Sequence, residues 1–102
     1  MNIESIKNEC PQQGLEPFVK GFLADRCDES EELAVFLSKS DFEQIKSLAH
    51  KWKGFSLPYG FKLLGELSID LELAAKQSDL GQCELLVQDI KKYLEIKKSL
   101  IS

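Results

Sequence analysis

The stretch "SDFEQIKSLAHKWKGFS", Ser40 to Ser56, decides how the chain is to be read. Phe42, Ile45, Leu48, Ala49 and Trp52 recur at helical spacing, so at roughly 100° per residue they line up as one buried stripe. Ser40 followed three residues later by Glu43 has the pattern of a capping box, and Pro58 stands just past the expected end of the helix. His50, the single histidine in the chain, projects roughly 150° from the centre of the stripe, which puts it on the solvent face. The periodicity therefore gives it no core role and leaves two readings, an idle surface histidine or a presented one.

The same period runs through the rest of the chain. In "GLEPFVKGFLADRC" Leu15, Phe18, Val19, Phe22, Leu23 and Cys27 form a stripe, with Pro17 in the first turn, where its missing N–H costs nothing. "DESEELAVFLSK" reads as a separate, shorter helix that buries Leu33, Ala34, Phe36 and Leu37, with Asp28 or Ser30 as its N-cap. "FKLLGELSIDLELAAK" places Leu63, Leu64, Leu67, Leu71, Ala74 and Ala75 on one side and Ile69 and Leu73 on the other, and Gly65 marks a close helix approach. After a turn at "QSDLGQ", "CELLVQDIKKYLEIKK" stacks Cys83, Leu86, Val87, Ile90, Tyr93, Leu94 and Lys97, of which only the last is polar. "NIESIKNEC" adds a short N-terminal helix with Ile3, Ile6 and Cys10 facing inward. No strand-length alternation and no repeat occurs. The expected fold is all-α, an antiparallel up-and-down four-helix bundle with a possible short extra N-terminal helix, forming one domain over residues 1–102 with its bundle core at about 15–98.

Composition bounds the function. The chain has 102 residues, 43% hydrophobic and 29% charged, with a net charge of −4. That is an ordinary globular composition, and its field disfavours nucleic acid and anionic lipid as partners. No apolar run reaches the roughly 20 residues of a membrane span, and "MNIESIKNEC" lacks a signal-peptide core, so a cytoplasmic location is expected. Cys10, Cys27 and Cys83 are odd in number and far apart, which fits reduced thiols and gives no metal site. Met1 and the "KKSLIS" end are expected of a complete small protein, with monomer as the default state.

The neighbours of His50 bear on the choice between the presented reading and the idle one. Gly54 lies one turn on along the same face, where glycine costs about 1 kcal/mol relative to alanine. Either it clears an approach to the imidazole or it weakens a helix about to end. Lys53, Lys46 and Lys51 surround the histidine on the surface. As a positive patch they would keep a ring nitrogen's lone pair available and stabilise an anionic group placed on it; as an ordinary solvated face they would do nothing.

"AHKWKGFSLPYGF" resembles the signature of histidine-containing phosphotransfer (HPt) domains, HxxKG with a second glycine six residues after the first, met here by His50, Lys53, Gly54 and Gly60. "FVKGFLADR", Asp41 and "LGELSIDLELAAKQSD" extend the likeness over about Leu15 to Leu94. Phe55 stands where the family often has a small residue, Trp52 replaces a smaller aliphatic one, and Pro58 is unusual in the following turn. The resemblance implies a phosphorelay intermediate of two-component signal transduction: a phosphoryl carrier rather than an enzyme, accepting the group on His50 from a receiver-domain aspartate and passing it to another receiver. It implies Lys53 as the stabiliser of phosphoryl charge, and Lys46, Lys51, Gly54, Phe55, Leu57 and Gly60 as the binding surface. Ile69 belongs either to that surface or, with Leu73, to packing against the N-terminal helix. Receiver domains of response regulators or hybrid histidine kinases are the implied partners. The chain itself needs no cofactor, because Mg2+ would come with the receiver. No Gly-rich nucleotide motif is present, which excludes a complete histidine kinase. The alternatives are a helical adaptor that binds receiver or kinase domains without being phosphorylated, and a plain structural bundle.

Overall fold

Strong helix formers fill the chain, and its three prolines all fall outside the α-helices. In the computed structural model, which describes residues 1–101, this gives an all-α fold. Ser102 lies outside the described residues. Helix α1 spans Ile3–Lys7, a 3-10 turn covers Glu16–Phe18, and α2 (Val19–Ser38), α3 (Phe42–Phe55), α4 (Lys62–Lys76) and α5 (Leu80–Ile101) are the long helices. Among the described residues there is no strand, and no helix is long and apolar enough to cross a membrane.

Two Ser-Asp pairs make the tight joints. At the end of α2, Ser40 takes a left-handed φ of 51°, its N–H bonds the Leu37 carbonyl at 3.0 Å, and the Asp41 N–H bonds that of Phe36 at 2.9 Å. Asp41 then caps α3 by accepting from the Gln44 N–H at 3.3 Å. Ser78 and Asp79 repeat the device between α4 and α5: Ser78 has a φ of 54°, Asp79 N–H bonds Ala74, and the Asp79 carboxylate accepts from Gln82 N–H at 3.1 Å. Each pair ends one helix with a Schellman closure and starts the next. The expected capping box is therefore displaced by one residue. Ser40 is committed to closing α2, and Asp41 performs the cap.

The expected break at "DES" does not occur. Nothing there disfavours a helix: Ser30 turns its hydroxyl back to the Cys27 carbonyl at 2.7 Å, and Arg26 pairs with Glu29 at 2.6 Å across one turn. Asp28 and Ser30 are thus mid-helix residues of one continuous α2. Phe18 also departs from its expected stripe. It sits in the tighter 3-10 turn, whose different angular step leaves it 59% exposed, while Phe22 and Leu23 are buried as expected.

The core gathers Leu33, Ile45, Trp52, Leu64, Leu71 and Ile90, all fully buried. Phe22 stacks on Tyr59 at 4.4 Å and meets the edges of Phe61 and Phe55 at 4.8 and 5.3 Å, which seals the end where α3 passes into α4. In α1 only Ile6 is buried; Ile3 and Cys10 are exposed, because five helical residues present a single inward position.

Candidate functional site

His50 sits on α3 with Ala49 and Trp52 beneath it in the core, and its own side chain is 68% exposed. The outward projection expected from the sequence is what the structure has. α4 packs along α3, and the residue it brings to the histidine is Glu72. Its Oε2 lies 2.7 Å from His50 Nδ1, and its Oε1 lies 2.5 Å from Lys53 Nζ. The hydrogen bond from Lys53, and after it that from His50, hold the Glu72 carboxyl below the ordinary glutamate value, so the group is a carboxylate that only accepts. Nδ1 must then be the N–H donor. In the neutral ring the lone pair falls on Nε2, which among the described residues receives no hydrogen bond. One carboxylate thus fixes the tautomer of an exposed imidazole and leaves Nε2 as its unprotonated nitrogen.

The lysines stand differently from the sequence expectation. Each is paired: Lys53 with Glu72, Lys51 with Glu29 at 2.6 Å, and Lys46 with Glu43 at 3.3 Å. The surroundings of His50 are therefore interleaved charges rather than an uncompensated positive patch, and the Lys46 pair is exposed and weak. Glu29 anchors a second network. It accepts from Trp52 Nε1 at 2.8 Å and from Arg26 Nε at 2.6 Å, and the Arg26 guanidinium lies over the Phe22 and Phe55 rings at 4.5 and 4.7 Å. Burial opposes ionisation of Glu29, but the hydrogen bonds from Lys51 and Trp52 and the charge of Arg26 outweigh it and hold the carboxyl below its ordinary 4.5. A depressed folded-state value stabilises the fold above the ordinary carboxyl range and ceases to do so as pH falls through the folded value. Glu29→Gln should accordingly lower the urea midpoint at pH 7, and the gap to wild type should close on acidification below about pH 4.

Of the other candidates, Gly54 is exposed, and a Cβ there would meet nothing within 4 Å. No packing in the chain requires a glycine at that position. Leu57 is 62% exposed, and Ile69 and Leu73 are exposed on α4 on either side of Glu72 in sequence. Phe55 is half-buried in the aromatic cluster, so it supports the site rather than extending from it. Gly60 is buried away from solvent. Its φ is +85°, and a Cβ would stand 2.6 Å from Pro11 N and 2.7 Å from the Cys10 carbonyl carbon. Its glycine is thus demanded by the N-terminal segment crossing it.

No family model, curated protein or solved structure matches the chain. The cysteines are free, with Cys10 exposed and burial pushing the Cys27 and Cys83 thiols up. Among the described residues no cluster of His, Cys, Asp and Glu is arranged to hold a metal ion.

Glu72 is the residue of the candidate site that the sequence reading missed. A signal for it existed. Glu72 follows Gly65 by seven residues and so shares its helix face, and Gly65 was expected to mark an approach to another helix. A Cβ at Gly65 would lie 3.7 Å from Ser56 Cβ at the end of α3, an ordinary contact. The face that meets α3 at Gly65 meets it again at Glu72.

Proposed function

We propose that the chain is a phosphoryl carrier of the HPt type, a phosphorelay intermediate in two-component signalling whose acceptor is His50. The observation that carries this reading is the exposed imidazole with Nδ1 tied to Glu72 and Nε2 left without a hydrogen bond among the described residues. The four long helices are taken as an antiparallel up-and-down bundle, a reading supported for α3 and α4 by the contacts of Ser56 with Gly65 and of His50 with Glu72. The protein is taken to act as a cytoplasmic monomer.

The chemistry follows from the tautomer. The Nε2 lone pair attacks the phosphorus of an aspartyl phosphate on a docked receiver; the N–P bond forms, the P–O bond breaks, and the aspartate leaves as a carboxylate. No proton need move, because Nε2 carries none and Nδ1 keeps its own against Glu72. Phosphoryl transfer asks chiefly for in-line placement and charge neutralisation, and a rigid helix supplies the first. Lys53 supplies part of the second by transferring its ammonium from Glu72 to the phosphoryl oxygens, which lie on the same face one turn away. Mg2+ and its acidic ligands belong to the receiver. Transfer to a second receiver runs the same steps in reverse. Leu57, Ile69 and Leu73 are the exposed apolar residues assigned to docking, with Lys46 and Lys51 at its charged edge.

The test is incubation with phosphorylated receiver domains. Wild-type protein should acquire an acid-labile, alkali-stable label, and His50→Gln should acquire none. Stable binding without label would replace the carrier by an adaptor, and neither binding nor label would leave a structural bundle. Gly54→Leu separates clearance from mere helix weakening. The side chain enters open space and should strengthen α3 by about 0.5–1 kcal/mol, yet it should block transfer by keeping the receiver off the ring. Normal transfer by that variant would remove the clearance role.

A further inference from the structure

The α3–α4 connection, Ser56 to Phe61, is the one long-helix joint without a Ser-Asp pair, and it carries the register on which the His50–Glu72 contact depends. Phe61, at the N-cap position of α4, provides no side-chain cap. The cap comes from the other end of the chain: Glu9 Oε2 accepts the Leu63 N–H at 2.8 Å. The same carboxylate accepts from Tyr93 OH at 2.6 Å and lies 3.0 Å from Lys97 Nζ, both on α5. Lys97 in turn donates to the Gly60 carbonyl at 2.7 Å. The Gln12 N–H bonds the Pro58 carbonyl at 2.8 Å, and the Cys10–Pro11 backbone fills the space over Gly60 where any side chain would begin. Residues 9–12 thus bind the turn at Pro58, Gly60 and Leu63 and fasten it to α5.

We infer that the N-terminal segment is a positioning strap for the acceptor histidine: by fixing the start of α4 against α5 through Glu9, it sets the place of Glu72 and hence the tautomer and aim of His50. Leu63 and Glu72 are nine residues apart on one helix, about 14 Å, with no break between them. A helix transmits a displacement at its start along its whole length. The His50–Glu72 bond is 2.7 Å long, and hydrogen bonds weaken steeply beyond about 3.2 Å, so a slide of well under one residue's rise would release the ring. The inference rests on the proposed function only in taking His50 as the working group, and its test needs no receiver.

The experiment uses the full chain carrying Gly60→Ala, which drives a methyl into the Cys10–Pro11 backbone, and separately Glu9→Gln, which removes the charge while keeping the shape. Amide hydrogen exchange at Gln12 and Leu63 reports the strap. The 15N shifts of the His50 ring, taken at about pH 9 where an imidazole is neutral, report the tautomer, with Glu72→Ala as the reference for a released ring. Exchange at both amides should rise at least about tenfold while α2 keeps its protection, and the ring shifts should move toward the Glu72→Ala values. Faster exchange with wild-type ring shifts would mean that the strap is only structural and would overturn the inference, as would unchanged exchange in both variants. If Gly60→Ala loses its helical circular dichroism, the Glu9→Gln comparison decides alone. Because the ring is read in the free protein, a failure of phosphoryl transfer would count against the carrier reading and leave the strap standing.

Discussion

Glu9→Ala should destabilise the protein by about 3–5 kcal/mol, the cost of leaving a buried charge without its partner. The side chains of Glu9 and Lys97 are 7% and 6% exposed, so water cannot take over for either. With the carboxylate gone, the Lys97 ammonium keeps only the Gly60 carbonyl at 2.7 Å and the faces of Phe61 and Tyr93 at 4.5 and 5.9 Å. Tyr93 OH loses its acceptor, and the Leu63 N–H loses the cap of α4. Small domains have about 5–15 kcal/mol in total, so the urea midpoint should fall by a large fraction of its value. Lys97→Met should cost less. It removes the cation but leaves an apolar stem between the same rings, and Glu9 retains two hydrogen-bond donors. The double variant should lose less than the sum of the single losses, because the two residues share one network. A cost below about 1 kcal/mol for Glu9→Ala would mean that the segment is solvated and that the capping of α4 from a distance contributes little.

This cluster also marks how far sequence reading reaches. The stripes of α3, α4 and α5 were legible because each long helix buries one continuous face, and Lys97 could be placed on its stripe by spacing alone. What spacing cannot give is the group that makes a buried lysine tolerable, since Glu9 lies 88 residues away in the chain. The false break in α2 has a local cause. Asp and Ser favour N-caps in isolation, but with no glycine or proline beside them the helix continues, and the Ser30 hydroxyl finds its partner within the helix. Ser40 was misassigned for a related reason, because a Ser-Asp pair satisfies the end of one helix and the start of the next with one residue each. At the site, the outward histidine was legible because helical phase is a one-helix property. The carboxylate that orients it was not, because pairing across α3 and α4 depends on the length and shape of the joint between them.

The pairing of Lys53 with Glu72 changes what the lysines can be asked to do. An unpaired ammonium would be available before any phosphoryl group arrives, whereas this one must leave a carboxylate 2.5 Å away. The exchange is close to balanced in charge, since a phosphoryl group offers more negative oxygen than a glutamate while the partly buried Glu72, 14% exposed, is left with His50 alone. If His50 is phosphorylated as proposed, Lys53 would favour that state by a difference of two ion pairs rather than by the whole of one, which would suit a carrier that must release its cargo as well as accept it.

Glu72→Ala should slow phosphoryl transfer to His50 by about 10–100-fold, taking as a guide the loss typical when the carboxylate that orients a metal-ligating histidine is removed. Two effects act together: the ring loses the acceptor that keeps the proton on Nδ1, and it gains freedom to rotate away from the line of attack. Release of Lys53 acts the other way, because the ammonium then meets the phosphoryl group without first leaving a carboxylate. Glu72→Gln separates these terms. Its amide oxygen can still accept from Nδ1, so the tautomer is retained while the charge holding Lys53 is gone. If orientation dominates, transfer by Glu72→Gln should stay near wild type and that by Glu72→Ala should fall. If charge dominates, both should transfer at or above the wild-type rate. Equal, severe loss in both variants would mean that the carboxylate takes part in the chemistry itself, for instance by stabilising positive charge that builds on the ring as the N–P bond forms. Single-turnover transfer from one phosphorylated receiver, with His50 ring shifts recorded on the same variants, distinguishes the three.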